Sequence, residues 1–324
     1  MSDKSEFGVG TFVGAGGAEF AGLVVNDQVT DLRPALGDQI TTLGLLQDWD
    51  ESFKRLVELA RDGDDAPTPI SELRALPPVA SPQILCAGAN YHRHVRQIVV
   101  MSLKLEGDER PEEELEAEAE RQLANRIATE PYLFIAAPSA MCGAGDDIVL
   151  WGPGKCHDWE LELAVVIGRG GVNIDEAHAM EHVAGYLISN DISVRDVQHR
   201  PNFPMTDFVR SKNRPTYFPT GPYFVPKEFI PDPRALRIEL SVNDEKMQDE
   251  LVDDIIYGVE ELVAYASRTV GIGEGDMLLT GSPAGNAGHH GDRWLRPGDI
   301  IKGSITGLGV QRNTCVADPS RSKP

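Results

Sequence analysis

His157-Asp158-Trp159-Glu160-Leu161-Glu162-Leu163-Ala164-Val165-Val166-Ile167-Gly168 reads as one β-strand: apolar, β-branched and closed by glycine. Among its carboxylates, Glu160 and Glu162 stand at positions i and i+2. Strand side chains alternate between faces, so these two project the same way, one beside the next. Like charges paired on a core strand are costly unless something neutralises them. A hard divalent cation does so directly, and the stretch therefore predicts a metal site.

Working outward, short strands surround it. Upstream are Tyr132–Ala136 and Ile148–Trp151; downstream come Ala184–Ile192, Tyr223–Val225, Leu236–Val242, Met277–Thr280, Ile300–Ile305 and Leu308–Val316. A helix is expected over Val259–Val270, ending at Gly271. Strands outnumber helices and no β-α alternation runs through them, which excludes a doubly wound sheet and predicts a β-rich α+β fold. No Gly-x-Gly-x-x-Gly motif follows a strand, no phosphate-binding loop is present, and there is no internal repeat.

Residues 1–80 are expected to form a small N-terminal β-rich domain. Strands at Phe7–Val13, Glu19–Val25 and Gln28–Leu32 flank an Asn26-Asp27 turn, and a helix follows over Leu43–Leu59. The Asp-, Pro- and Ser-rich residues 61–82 read as a linker. The larger domain, 81–318, opens with a strand at Ile84–Ala87 and a loop through Gly88–His94. A charged segment, 103–128, interrupts it as an expected lid over the site. Its helix, Glu112–Ala128, has acidic residues leading and arginines trailing, as the helix dipole favours.

The chain has 324 residues and a formal charge of -21, which disfavours nucleic acid and anionic membrane as partners. No apolar run reaches membrane-span length, and the N-terminus lacks the order of a signal peptide, so the expected location is cytoplasmic. Cys86, Cys142, Cys156 and Cys315 are scattered, with no Cys-x-x-Cys pair, and are expected to be buried thiols rather than disulfides or zinc ligands.

Two further segments bear on the metal. Asp191 sits in the apolar Gly185–Ile192 run, followed by Arg195 and Gln198, and Leu279–Gly285 is a small-residue loop suited to close approach of a ligand. Three carboxylates make an all-oxygen set, which selects Mg²⁺, Mn²⁺ or Ca²⁺ over zinc or copper.

With these residues in view, Ile84 to Val316 resembles the fumarylacetoacetate hydrolase family. The matching blocks run in family order: Cys86-Ala87-Gly88-Ala89-Asn90-Tyr91 with His94; Glu160–Gly168; Asn190–Gln198; Arg210-Ser211-Lys212 ahead of Gly221-Pro222; Thr280–Gly285; and Leu295–Asp299. The resemblance implies a mixed β-roll catalytic domain and a homodimer. It implies Mg²⁺, with Mn²⁺ or Ca²⁺ as alternatives, at Glu160, Glu162 and Asp191, and a small 2-oxo acid substrate held by Arg195, Gln198, Lys212 and Ser282. His94 would be the general base and Lys212 would stabilise an enolate. The expected reaction is C–C hydrolysis of a 2,4-dioxo acid of the acylpyruvate type. The alternatives are decarboxylation, isomerisation or hydration and dehydration at the same site, or a non-catalytic metal-binding protein.

The chain departs from the family pattern in several places. Where a glutamate would pair with the histidine stands Gln97; an amide can orient an imidazole but cannot raise its basicity. Where a lysine often precedes the proline stands Ala136, and Asn213–Phe218 replaces the usual Ser-Phe-Asp-Thr-Phe. Glu106 or Glu109 of the inserted segment is a candidate replacement acid. His289 and His290, in a glycine-rich loop, are expected to be exposed, with a place at the site entrance as the alternative.

Overall fold

The computed structural model describes residues 6–64, 66–105 and 107–322. Its centre is an eight-stranded sheet in the order Leu133–Ala136, Ile84–Ala87, Met277–Leu279, Leu161–Ile167, Val183–Asn190, Phe218–Thr220 and Met141–Gly143, with Val225–Pro226 also on Val183–Asn190. The deciding strand is thus central, and every residue of Leu161–Ile167 is buried. A five-stranded sheet (Glu245–Leu251, Arg237–Val242, Ile300–Ile305, Val310–Ala317, Ile148–Leu150) completes a mixed, strand-rich α+β fold.

Register explains why chemistry collects at one end of the large sheet. Leu161–Ile167 runs antiparallel to both neighbours, pairing Leu161 with Asn190 and Ala164 with Leu279. Its beginning therefore lies beside the ends of Val183–Asn190 and Met277–Leu279. Ile84–Ala87 is parallel to Met277–Leu279, with Cys86 opposite Leu279. The segments after Ala87, Asn190 and Leu279 consequently leave the sheet together, next to Glu160 and Glu162.

The N-terminal strands Gly8–Val13, Glu19–Val25 and Gln28–Asp31 form their own sheet, and Asn26 and Asp27 turn with φ of 51° and 60°. Alternation serves two cores: Val9, Ala21 and Leu23 join the main core, whereas Phe12, Val24 and Val29 form a small separate cluster. The stretch read as a linker carries strands Thr68–Pro69 and Arg74–Ala75, which close that sheet at its two edges. The single helix expected over Leu43–Leu59 is two, Thr42–Leu46 and Trp49–Asp62, because Asp48 adopts a non-helical φ of -140° and ψ of 62°.

A second correction touches the site. The segment around His94 is not a loop: a helix runs His92–Leu105 and is followed by another, Glu112–Ile127. Ion pairs Arg96–Glu120 and Lys104–Glu112 tie the two as an antiparallel hairpin. Leu115, Ala119 and Leu123, spaced i, i+4, i+8, are the buried face of the second helix. Among the described residues no helix is long and apolar enough to cross a membrane. All four cysteines are free; Cys86, Cys142 and Cys315 are buried, but Cys156 is only partly so.

Candidate active site and metal centre

A cavity of ≈ 160 Å³ opens at that end of the sheet, and its walls include His94, Glu160, Glu162, Asp191, Arg195, Gln198, Lys212 and Ser282. The eight residues assigned to metal, substrate and catalysis in the sequence all line this one space. Glu160, Glu162 and Asp191 are 6 %, 3 % and 1 % exposed, and they offer oxygens that all lie within 4.8 Å of one another. Asp191 Oδ1 is buried without a hydrogen-bond partner. An all-oxygen cluster with an unsatisfied buried acceptor fits a hard divalent cation.

Two cations hold the cluster together. Lys212, buried at the end of the short helix Phe208–Lys212, donates to Glu160, to Asp191 and, at 2.7 Å, to Ser193 Oγ. Arg195 forks between Asp158 Oδ2 at 2.8 Å and Glu160 Oε1 at 2.7 Å. Glu162 accepts from Gly281 N at 2.7 Å, and Gly281 has φ of +98°, a conformation that favours glycine. A Cβ on Gly281 would also stand 2.9 Å from Asn90 Cβ.

Electrostatics divides the three carboxylates. Burial alone would push Glu160 up, but Arg195 and Lys212 override it and hold it well below the usual carboxylate range. Burial, reinforced by Asp191 and Glu160, pushes Glu162 well up. Asp191 is pushed up to about 7, again by burial, with Lys212 opposing and Glu160 reinforcing. A cation entering this site must displace the protons that burial favours. Divalent-metal affinity is therefore expected to climb as pH rises through about 7, where Asp191 ionises. Titration calorimetry with Mn²⁺ in two buffers of different ionisation enthalpy checks this; binding without proton release at pH 6 would contradict it.

His94 lies on the first turns of its helix and is 6 % exposed, with Nε2 3.9 Å from Glu160 Oε1. Burial pushes its imidazole down to about 4 despite the attraction of Glu160. Its Nδ1 has no hydrogen-bond partner among the described residues. Gln97 does not orient it; the amide oxygen instead accepts a long bond from Gly285 N at 3.4 Å. Of the replacement acids, Glu109 is exposed and outside the cavity wall, and Glu106 lies outside the described residues. His289 and His290 are partly buried rather than exposed, because His290 Nε2 meets Met247 O at 2.9 Å and its ring stands beside Trp159. Neither lines the cavity.

Several supporting residues were not singled out from sequence. Asp158 is buried and receives Arg195 and Ala287 N. Its signal was available, since 158, 160 and 162 share one parity in the stretch read as a single strand, although the structure breaks that stretch into His157–Asp158 and Leu161–Ile167 with Glu160 between them. Ser193 touches Lys212 and donates to Glu160 Oε2 at 3.2 Å. Gln248, fully buried, accepts from Leu161 N and donates to Ser282 Oγ at 3.0 Å. It comes from a strand, Glu245–Leu251, whose charged composition hides it.

Fold and site together define the class: a strand-rich α+β protein with a buried acidic triad fitted to a divalent cation. The chain belongs to the fumarylacetoacetate hydrolase family, for residues 83–316 match the family model for the fumarylacetoacetate (FAA) hydrolase C-terminal domain. It is 34% identical over 250 residues to oxaloacetate tautomerase FAHD2A, mitochondrial, of Bos taurus, covering 76% of this chain and 71% of that protein. It is 31% identical over 301 residues to maleylpyruvate hydrolase of Aquipseudomonas alcaligenes, covering 89% and 93%. The fold is shared with the crystal structure of maleylpyruvate hydrolase from Sphingobium sp. SYK-6 in complex with manganese(II) and pyruvate, at a TM-score of 0.72 and 23% identity over 96% of this chain and 99% of that one.

Proposed function

We propose that this chain is a divalent-metal enzyme that interconverts 2-oxo acids with their enols, with Mg²⁺ as its ion and Mn²⁺ or Ca²⁺ as substitutes. Glu160, Glu162 and Asp191 hold the ion. When bound, it supplies chelation and polarisation of a 1-carboxylate and a 2-oxo group. Lys212 offers an ammonium to the oxygen on which enolate charge develops. His94 carries a proton to or from the carbon beside the 2-oxo group, and Gln198 and Ser282 hydrogen-bond the substrate. Similarity to an oxaloacetate tautomerase supports this order of preference.

The observation that carries it is His94. Burial keeps the imidazole neutral and weakly basic, and no carboxylate among the described residues orients its Nδ1. Generating hydroxide from water, as C–C hydrolysis requires, demands more of a base than exchanging a proton at a carbon already acidified by a neighbouring carbonyl. Hydrolysis of a 2,4-dioxo acid is the second reading, and similarity to maleylpyruvate hydrolase over most of both chains supports it. There water adds at the 4-carbonyl, the C3–C4 bond breaks and C3 takes up a proton.

The test is chelator stripping followed by Mg²⁺ or Mn²⁺ add-back, with the enols of oxaloacetate and phenylpyruvate as one substrate class and acetylpyruvate as the other. Metal-restored enol-to-keto conversion without release of acetate is the expected result. Acetate and pyruvate released at a comparable rate would replace isomerisation by hydrolysis, and inertness toward both would sink the enzymatic reading. His94→Gln should lower the restored rate by about 10²–10⁴-fold while the protein still binds Mn²⁺. An undiminished rate would move the proton transfer elsewhere.

A further inference from the structure

The cavity has two chemically different halves. One is the acidic centre. The other is built from Tyr132, Phe134 and Phe208, faced by Ala87, Ala89 and Ile98. Phe134 and Phe208 stack with centroids 4.4 Å apart and planes 15° from parallel, and Tyr132 extends the row at 6.3 Å from Phe208. The halves meet at Lys212, whose Nζ lies 5.3 Å from the Phe134 ring centroid.

This row is fixed in place by the residues around it. Asn213 accepts from Ala137 N with its side-chain oxygen and donates from Nδ2 to Phe208 O at 3.0 Å. It thereby ties the strand carrying Phe134 to the helix carrying Phe208. Ala136, on the same strand, is fully buried.

The aromatic row itself carries no charge; the nearest cations are Lys212, at its edge, and Arg126, whose Nη2 donates to Gly88 O at 3.3 Å. Of the residues lining the cavity, only Arg195, Lys212 and His94 can carry positive charge, and none belongs to the aromatic row. Arg195 and Lys212 are both engaged by carboxylates already. Asp158, Glu160, Glu162 and Asp191 carry four formal negative charges against the two positive charges of Arg195 and Lys212. One divalent cation balances the remaining two. A substrate's single carboxylate can bind at that cation, but a second carboxylate would face aromatic carbon beside a lysine already paired with Glu160 and Asp191, which is costly. A flat apolar group would instead stack on the row and leave water.

Building on the 2-oxo acid reading above, we propose that the Tyr132–Phe134–Phe208 row selects 2-oxo acids whose remaining substituent is apolar and flat, and discriminates against a second carboxylate.

Pyruvate, phenylpyruvate and oxaloacetate form a minimal probe set, sharing one anchor and differing at C3 in hydrogen, phenyl and carboxylate. Each is titrated calorimetrically into the full-length protein loaded with Mn²⁺ and into chelator-treated protein. Phenylpyruvate is expected to bind the loaded protein about tenfold or more tighter than oxaloacetate. Oxaloacetate binding as tightly as phenylpyruvate, with pyruvate binding only in the presence of Mn²⁺, overturns the selectivity and leaves the 2-oxo acid reading standing. Pyruvate binding that ignores Mn²⁺ overturns that reading, and the inference with it. Phe208→Ala should collapse the phenylpyruvate-to-pyruvate affinity ratio. The substitution Tyr132→Arg, at a residue 49% exposed, should shift preference toward oxaloacetate even if Phe208→Ala does not fold. Preference unchanged in either folded variant would overturn the role given to the row.

Discussion

Substitution of Asp191 by asparagine is expected to weaken Mn²⁺ binding by about a hundredfold or more and to remove metal-dependent turnover with it. The amide keeps the size of the carboxyl group but brings a neutral oxygen where an anion was. Within the triad, Asp191 Oδ1 is buried with no hydrogen-bond partner among the described residues, so the loss falls on the atom best placed for a cation. The metal-free protein should respond in the opposite direction. Burial raises the Asp191 pKa from 3.8 to about 7. A group whose folded pKa is raised contributes its stability below the unfolded pKa and loses it as pH rises through the folded value. Above about pH 7 the ionised carboxylate is therefore a burden on the metal-free fold, which asparagine does not carry. Thermal unfolding at pH 8 should show the variant at least as stable as the parent in chelator, and less stable than the parent in Mn²⁺. Unchanged Mn²⁺ affinity would remove Asp191 from the metal site.

Much of this site was legible because strands impose a period of two. Glu160 and Glu162, in a stretch that reads as a buried, apolar strand, could not be a solvated face; the strand begins at Leu161, just after Glu160, and both carboxylates line one cavity. What the period could not reveal was the other partner of each contact. Gln248 reaches Ser282 from a strand reading Glu-Lys-Met-Gln-Asp-Glu-Leu, a composition that looks like surface. Only its pairing with Arg237–Val242 through the Asn243-Asp244 turn brings it inside. The histidine segment was misread as loop because Gly88-Ala89-Asn90 supplies strong turn signals just upstream. Helix actually begins at His92, and Tyr91, fully buried, anchors its entry. Being on a helix matters chemically: His94 is presented from a rigid element, and Ile98, one turn on, lines the same cavity.

The departures noted in the sequence also acquire a common physical sense. Gln97, Ala136 and Asn213 looked like unrelated losses of a carboxylate, a lysine and a familiar motif. In the structure Gln97 turns to Gly285, Ala136 ends the strand that carries Phe134, and Asn213 bonds Ala137 N and Phe208 O. Two of the three changes thus lie on or next to the elements that carry the aromatic row, and the third, Gln97, lies at the Gly285 loop.

Lys212→Met probes the coupling between that centre and the fold. Lys212 is 3% exposed and bonded to Glu160, Asp191 and Ser193. Burial opposes its charge, yet Asp191 and Glu160 more than offset this and hold its pKa above the usual lysine value. Raised in this way, it contributes stability that is fully present at neutral pH and is lost only as pH rises through the folded pKa. Methionine preserves the apolar stem but leaves Glu160 and Asp191 without their shared cation. Breaking a buried pair from one side costs about 3–5 kcal/mol, and the metal-free variant should be destabilised by an amount of that order. Mn²⁺ adds positive charge to the same carboxylates, so the gain in melting temperature on adding metal should be larger for Lys212→Met than for the parent. Turnover should not follow stability. Without an ammionium to meet the developing enolate, kcat is expected to fall by about 10²–10³-fold even where metal restores the fold. Parent-like stability in chelator would mean that Lys212 is not the cation on which the triad relies. Restored stability accompanied by restored kcat would confine Lys212 to a structural role.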